Sequence, residues 1–510
     1  MAVKSESTLD RERLSEALES VTHGAVATIG GTVLQKCIQF ATNLLLTATL
    51  GVGAYGVYSL GLRIFQMAGQ FAHLGSNPAL VRYVPAYEDD PKRQRRILGL
   101  AYTTALATSL LFAAGLVVAA PALDARLIDH SRFPPVLRLF AILIPINVFI
   151  NLFSNLFRSL ELIEYQVLVL RILRPGARLL SVAVAFWAGY SVVGTVAVIG
   201  LGTVGVFLTA ATLSLARTEI RPSLRGVRNE MWAFFNYALP NSLASIGGLL
   251  RNRVDVLLIG FVLTPAAAGI YNISLFLTSF IALPLTSFNQ LFPPIASKLY
   301  ANDDIDELQV AYSSITRWIF SGALLIGVVE LTFRNELLGL FGAEYARGEL
   351  VLILFVFGQL LNAAVGSAGW LLLMTDHQYL VALNSWLLGV LNLGLSYYFI
   401  LQFGLVGAAL GTAGALGTIN VCRVAELWYL EGLHPYNARF AKPLVAAVGA
   451  AAAMYGSGLF LPDAAALAVG VPVGVAAFAG QLAVFGVEPD DKQLFGVLFS
   501  GYADAFRSRL

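Results

Sequence analysis

LGVGAYGVYSLGLRI, residues 50–64, closes one apolar run and opens the next, and LTPAAAGIYNISLFL, residues 263–277, does the same in the second half of the chain. Gly56-Val57-Tyr58 falls on Gly269-Ile270-Tyr271 (269 − 56 = 213). The same offset carries Tyr87 onto Tyr300, and an acidic group follows each, Glu88-Asp89-Asp90 and Asp303-Asp304. It also carries Tyr190-Ser191-Val192-Val193-Gly194 onto Phe403-Gly404-Leu405-Val406-Gly407. Each match is weak alone, but a constant offset over about 140 residues marks an internal duplication.

Long apolar runs separate these landmarks. Of 510 residues, 57% are hydrophobic and 13% charged, with mean hydropathy +0.73. About 20 apolar residues suffice to span a bilayer, and about fourteen such windows lie between residues 24 and 487. Continuous runs, rather than short alternating segments, exclude a β-barrel. The expected fold class is an all-α polytopic membrane protein of about 14 transmembrane helices, with two six-helix bundles and two C-terminal helices. Six spans per copy is an even number, so both copies keep one orientation and the pseudo-two-fold axis runs along the membrane normal. The expected division is an amphipathic segment 1–22, a first bundle 23–215, a linker 216–231, a second bundle 232–430, two additional spans within 431–487 and a tail 488–510.

The formal net charge of +2 is less informative than its distribution. With the N-terminus in the cytosol, 20 Lys and Arg fall in cytosolic loops and tails and 4 in outer loops. That bias places both termini in the cytosol and the chain in the cytoplasmic membrane. Residues 3–20 (VKSESTLDRERLSEALES) are charged and amphipathic, unlike a cleavable signal. Cys37 and Cys422 both lie in apolar stretches, so no structural disulfide is expected.

Arginines inside the spans carry the functional reading. Each costs about 3 kcal/mol at a helix centre on insertion scales, so such residues are kept where they face water or a partner. Arg171, Arg174 and Arg178 are spaced i, i+3, i+7, which puts them on one helix face, and Pro175-Gly176 marks a break in that helix. The planar guanidinium fork matches phosphate, so the strip is a candidate diphosphate site. The plainer alternative is that Arg171 and Arg174, about 6 to 9 residues past a loop, snorkel to the headgroups. Arg251 and Asp255, at i and i+4, form either a neutralising pair or a coupling site, with Arg253 turned away from them. Arg63 maps by the offset onto Phe276, so its charge belongs to one copy alone. Lys36, Gln66, Asn241 and Asn362 are candidate polar lining, against the alternative that such residues bond helix to helix.

No His/Cys/Asp/Glu group has metal-ligand spacing, and Gly30-Gly31 and Gly247-Gly248 lack the lysine of a phosphate-binding loop. Neither metal, cofactor nor ATP hydrolysis is expected. An ion gradient or the passenger's own gradient is left as the driving force. A multidrug or organic-cation antiporter would present carboxylates to its passenger, whereas Asp255 and Glu330 are the few intramembrane acids here. A membrane glycosyltransferase or polymerase needs acidic residues in sizeable loops, and the outer loops of this chain are short.

The segments at 50–64 and 263–277, with RNRVDVLLIGFVL at 251–263, resemble the polysaccharide transporter branch of the multidrug/oligosaccharidyl-lipid/polysaccharide exporter superfamily, the O-antigen-type flippases. The resemblance covers residues 20 to about 430. It implies a non-enzymatic flippase that moves a polyprenyl-phosphate- or pyrophosphate-linked oligosaccharide from the cytosolic to the outer leaflet by alternating access. Lipid-linked oligosaccharide and membrane lipid are then the partners, with glycan polymerase or ligase machinery as further candidates and no nucleic acid. Fourteen spans exceed the twelve of many members and match the lipid II flippase branch, which stays open as an alternative.

Overall fold

The computed structural model describes residues 3–128, 130–251 and 254–486. The amphipathic face expected of residues 1–22, the side chain of Arg251, Arg253 and the tail 488–510 lie outside the described residues or side chains. Helix α1 (Val3–Ala72) is followed by α2 (Ser76–Ala86), α3 (Pro91–Leu123) and α4 (Phe133–Ser159). The short α5 (Ile163–Val167) runs through a π-helical turn, Leu168–Leu173, into α6 (Arg174–Trp187), and α7 (Val192–Arg217) completes the first half. The second half holds α8 (Arg228–Arg251), α9 (Val254–Val262), α10 (Pro265–Thr278), α11 (Leu283–Ala301) and α12 (Ile305–Thr332). It continues with α13 (Arg334–Gly339), a 3-10 segment Ala343–Gly348, α14 (Glu349–Ala364), α15 (Ala368–Met374) and α16 (Gln378–Glu431). Helix α17 (Ala441–Phe460) packs on α12 and on α18 (Asp463–Val484).

Among the described residues nine helices are long and apolar enough to cross a membrane, ten if α10 and α11, bent by 51°, form one span. Part of the difference from fourteen windows arises because two connections nearly vanish and merge neighbouring windows into longer helices, and part because helices such as α6 and α9, of 14 and 9 residues, are short. Drawn straight, the 54 residues of α16 would run about 80 Å, far beyond a hydrocarbon core of about 30 Å. It folds back at Gly404 (φ 59°, ψ −131°), and α1 does so at Gly51 (φ 70°, ψ 173°). Only glycine adopts such angles without strain. Tyr55 Oη then reaches Asn43 Oδ1 at 3.3 Å, twelve residues back along the chain. The connections between the apolar windows near residues 51 and 404 are thus single-residue reversals.

The duplication is visible as a reciprocal contact. A Cβ on Gly56 would fall on the carbonyl of Pro265, and a Cβ on Gly269 would crowd the carbonyl of Val52. Val52 and Pro265 are themselves related by the repeat offset (265 − 52 = 213), so residue i touches j′ and j touches i′, as a two-fold relation demands. Helices α1 and α10 are joined by this contact. Asp90 accepts from the amides of Lys92 and Arg93 at 3.1 Å and so caps the start of α3.

Candidate functional site

Polar side chains from both halves surround two adjoining cavities of about 350 and 830 Å³. Gln66 and Arg174 line both. The smaller lies between the arms of α1, the start of α6 and α10, with Arg63, Arg174, Arg178, Tyr55, Tyr58 and Asn272 on its wall. Arg63 is held from two sides: Nη1 donates to Gln66 Oε1 at 2.9 Å and Nη2 donates to Asn272 Oδ1 at 2.7 Å. Asn272 in turn donates to Tyr55 Oη at 2.8 Å. Arg178 donates to the hydroxyl of Tyr58, while its Nε is buried without a protein partner. Arg174 Nη1 donates to Asn151 Oδ1 at 3.4 Å.

The larger cavity continues along α1 past Gln66, Gln70 and His73 toward the end of the molecule where α2 meets α3 and α4 meets α5. Arg82, Arg158, Asn77, Asn147, Asn151, Asn155 and Asn241 lie on its wall. Arg82 sits 4.4 Å from the Tyr237 ring centroid, a cation–π contact between α2 and α8. Across the two cavities the described lining residues include five arginines and no Asp or Glu. At the opposite end the smaller cavity is closed by aromatic rings. Tyr55 lies 6.1 Å from Tyr58 and 6.2 Å, edge-on, from Tyr345 of the 3-10 segment; Tyr58 also meets Phe140 at 5.8 Å.

The structure brings Arg63, Arg174, Arg178, Gln66 and Asn241 to the cavities. Arg171, expected on one face with Arg174 and Arg178, does not join them on a cavity wall. Arg171 bonds Thr32 Oγ1 at 2.5 Å on α1 and lines neither cavity. The break is also earlier than Pro175-Gly176, which lie inside α6. Pro175 has no N–H for the carbonyl of residue 171, and the chain takes up the mismatch as the π turn at 168–173. Lys36 donates to Ser279 Oγ at 2.6 Å beside the Phe276 and Phe280 rings, and Asn362 pairs with Asn420 at 3.2 Å; neither is on a cavity wall. Asp255 is buried and accepts from Tyr271 at 2.5 Å and Thr412 at 3.2 Å, while the expected contact with Arg251 falls outside the described side chains.

Arg82 and the asparagines of α4 went unread in the sequence. The spacing Asn147-Asn151-Asn155, three amides at i, i+4, i+8 in an otherwise apolar span, was the signal available for the ladder. Charge bias alone assigns Arg158 to a cytosolic loop, whereas its side chain lies on the cavity wall.

Comparison with known proteins agrees with this architecture. A family described as polysaccharide biosynthesis protein matches residues 21–298. The probable low-salt glycan biosynthesis flippase Agl15 of Haloferax volcanii is 30% identical over 218 residues. That match spans 41% of this chain and only 44% of the relative. Among solved structures, the lipid II flippase MurJ in an inward closed conformation superposes with TM-score 0.71 at 12% identity, covering 91% of this chain and 98% of that one. An inward-facing multidrug resistance MATE transporter of the MOP superfamily superposes with TM-score 0.60 at 15% identity, covering 78% and 94%. At such identities the structures speak for the fold alone: a multi-pass helical membrane fold. With more than half of the chain matched (residues 21–298 of 510), it belongs to the polysaccharide biosynthesis protein family.

Proposed function

We propose that this chain is a flippase for a polyprenyl-phosphate- or pyrophosphate-linked oligosaccharide, carried from the cytosolic to the outer leaflet. The observation that carries the reading is the cavity wall, with five arginines and no carboxylate among its described residues. A cation carrier would need the reverse. Desolvated guanidinium groups are costly in a membrane unless an anion or water meets them, and a phosphate meets them with paired, charge-assisted hydrogen bonds. Arg63, Arg174 and Arg178 would hold the phosphate in the smaller cavity while the isoprenoid tail stays in lipid. Rocking of residues 23–215 against 232–430 would expose the head group to each leaflet in turn. With both termini in the cytosol, the larger cavity faces the leaflet on which such lipids are assembled.

Replacing Arg63 or Arg178 with Ala is expected to stop outward transfer in cells that depend on this chain for surface glycan. Lipid-linked glycan then accumulates on the cytosolic side. Lys at either position restores part of the transfer, since it keeps the charge and loses the fork. Full surface glycan from stably expressed Ala variants would overturn the reading.

A further inference from the structure

We infer that the larger cavity is a separate sugar-recognition subsite, in which the Asn147-Asn151-Asn155 ladder of α4 binds the hydroxyls of the sugars next to the phosphate. The inference rests on the flippase reading of the smaller cavity. The smaller space, with Arg63, Arg174 and Arg178, supplies the cations that a phosphate or diphosphate uses. The larger adds mainly amides, which offer a donor and an acceptor each and so complement a sugar hydroxyl.

The ladder's bonds fit a binding wall better than helix-to-helix adhesion. Asn151 Nδ2 donates to Asn147 Oδ1 at 3.2 Å and Asn155 Nδ2 to the Asn151 carbonyl at 2.8 Å, both within α4. Among the described residues the ladder's one bond to another helix is the acceptance from Arg174 at 3.4 Å. Across the cavity, Asn77 Oδ1 is buried without a protein partner. A polar atom in that state costs free energy unless something bonds it.

Asn151 joins the two subsites. Its Oδ1 takes Arg174, and a phosphate that captures Arg174 releases that oxygen for a sugar hydroxyl. Filling the smaller cavity therefore prepares the larger one. The ladder is about 12 Å long, from its i, i+8 span at about 1.5 Å of rise per residue. That reach covers the first sugars beside the phosphate and leaves distal sugars beyond the ladder. Arg82 and Arg158 stand on the same wall with no carboxylate among its described residues, so neutral and acidic sugars are accepted and a free amino sugar is disfavoured.

The test uses the purified full chain in lipid nanodiscs and a panel of short isoprenyl diphosphates: bare, or carrying glucose, N-acetylglucosamine or glucuronic acid. At least one glycosylated probe is expected to bind about tenfold or more tighter than bare diphosphate, the scale of one or two good hydrogen bonds. Asn147→Leu and Asn155→Leu should abolish that gain and leave affinity for bare diphosphate unchanged, which also shows that the variants fold. The subsite is overturned if no sugar improves binding in the wild-type chain, or if the gain survives in both variants. Failure of the flippase reading looks different: bare diphosphate would not bind the wild type, or would bind Arg63→Ala equally well.

Discussion

Asn272 shows how narrowly the anion site is balanced. Its carbonyl takes one arm of Arg63 at 2.7 Å and its amide holds Tyr55 at 2.8 Å. A neutral acceptor orients the guanidinium without cancelling its charge, so the charge is left for a passenger. Asn272→Asp changes this with almost no change of shape. The carboxylate would pair with Arg63 by a charge-assisted bond, worth about 1.5–3 kcal/mol against about 1 for a neutral one, while Tyr55 turns its hydroxyl to donate to the carboxylate in place of accepting from the amide. The passenger then competes with a built-in anion. We expect thermal stability in detergent equal to or above wild type, and transfer of lipid-linked glycan reduced by about tenfold or more. Unimpaired transfer would show that Arg63 does not meet the passenger. At this scale the sequence was half legible. The cost of an intramembrane charge singled out Arg63, Arg174 and Arg178, all on the cavity wall. Arg171 bonds α1 instead of lining a cavity, and the π turn ahead of Pro175 departs from the ideal periodicity on which its spacing was read. The asparagine ladder escaped because a single membrane-embedded amide is commonly interhelical glue, and only the face shared by all three sets these apart.

Two glycines of α1 make the chain's two kinds of element-level demand separable. Gly51 reverses the helix at φ 70°, ψ 173°, with open space where a Cβ would go. Gly56 lies past the bend within the helix, and a Cβ there would overlap the Pro265 carbonyl across the pseudo-two-fold contact. Gly51→Ala therefore meets only backbone strain, about 1–3 kcal/mol. Gly56→Ala forces α1 and α10 apart, and because the obstacle is backbone it cannot relax by turning a side chain. Loss of folded protein should be moderate for Gly51→Ala and severe for Gly56→Ala, read as the fraction surviving heating in detergent. Equal losses would mean that the α1–α10 contact gives way easily. The constant repeat offset made Gly56 and Gly269 legible as equivalents, and their reciprocal packing is what that offset produces in space. The reversals at Gly51 and Gly404 were legible only as short loops, since hydropathy cannot distinguish a short connection of several residues from one glycine with positive φ.

For the whole molecule, the proposed rocking requires the aromatic closure at the far end of the smaller cavity to part. Tyr345 is its removable piece. It comes from the 3-10 segment of the second half, is 2% exposed, and stands edge-on against Tyr55 of the first half. Its hydroxyl is buried without a protein partner, so the ring is held by packing alone. Tyr55 and Tyr58, by contrast, are tied through Asn272 and Arg178 to the groups that would grip the phosphate. A passenger that draws Arg178 from Tyr58 would loosen the closure from below, and removing Tyr345 should loosen it without a passenger. Tyr345 makes edge-on contacts with Tyr55 and Phe341, at about 0.5–1.5 kcal/mol each beyond their buried area. Only the Tyr55 contact crosses between the halves, so losing it should raise the population open at that end severalfold. In a chain with Cys37 and Cys422 replaced by Ser, Asn43→Cys places a thiol on the wall of the smaller cavity. A membrane-impermeant thiol reagent added outside should label it slowly in that background and severalfold faster once Tyr345→Ala is added. Unchanged labelling would mean that the closure at this end is carried by other residues, and that the two halves do not part where Tyr55 meets Tyr345.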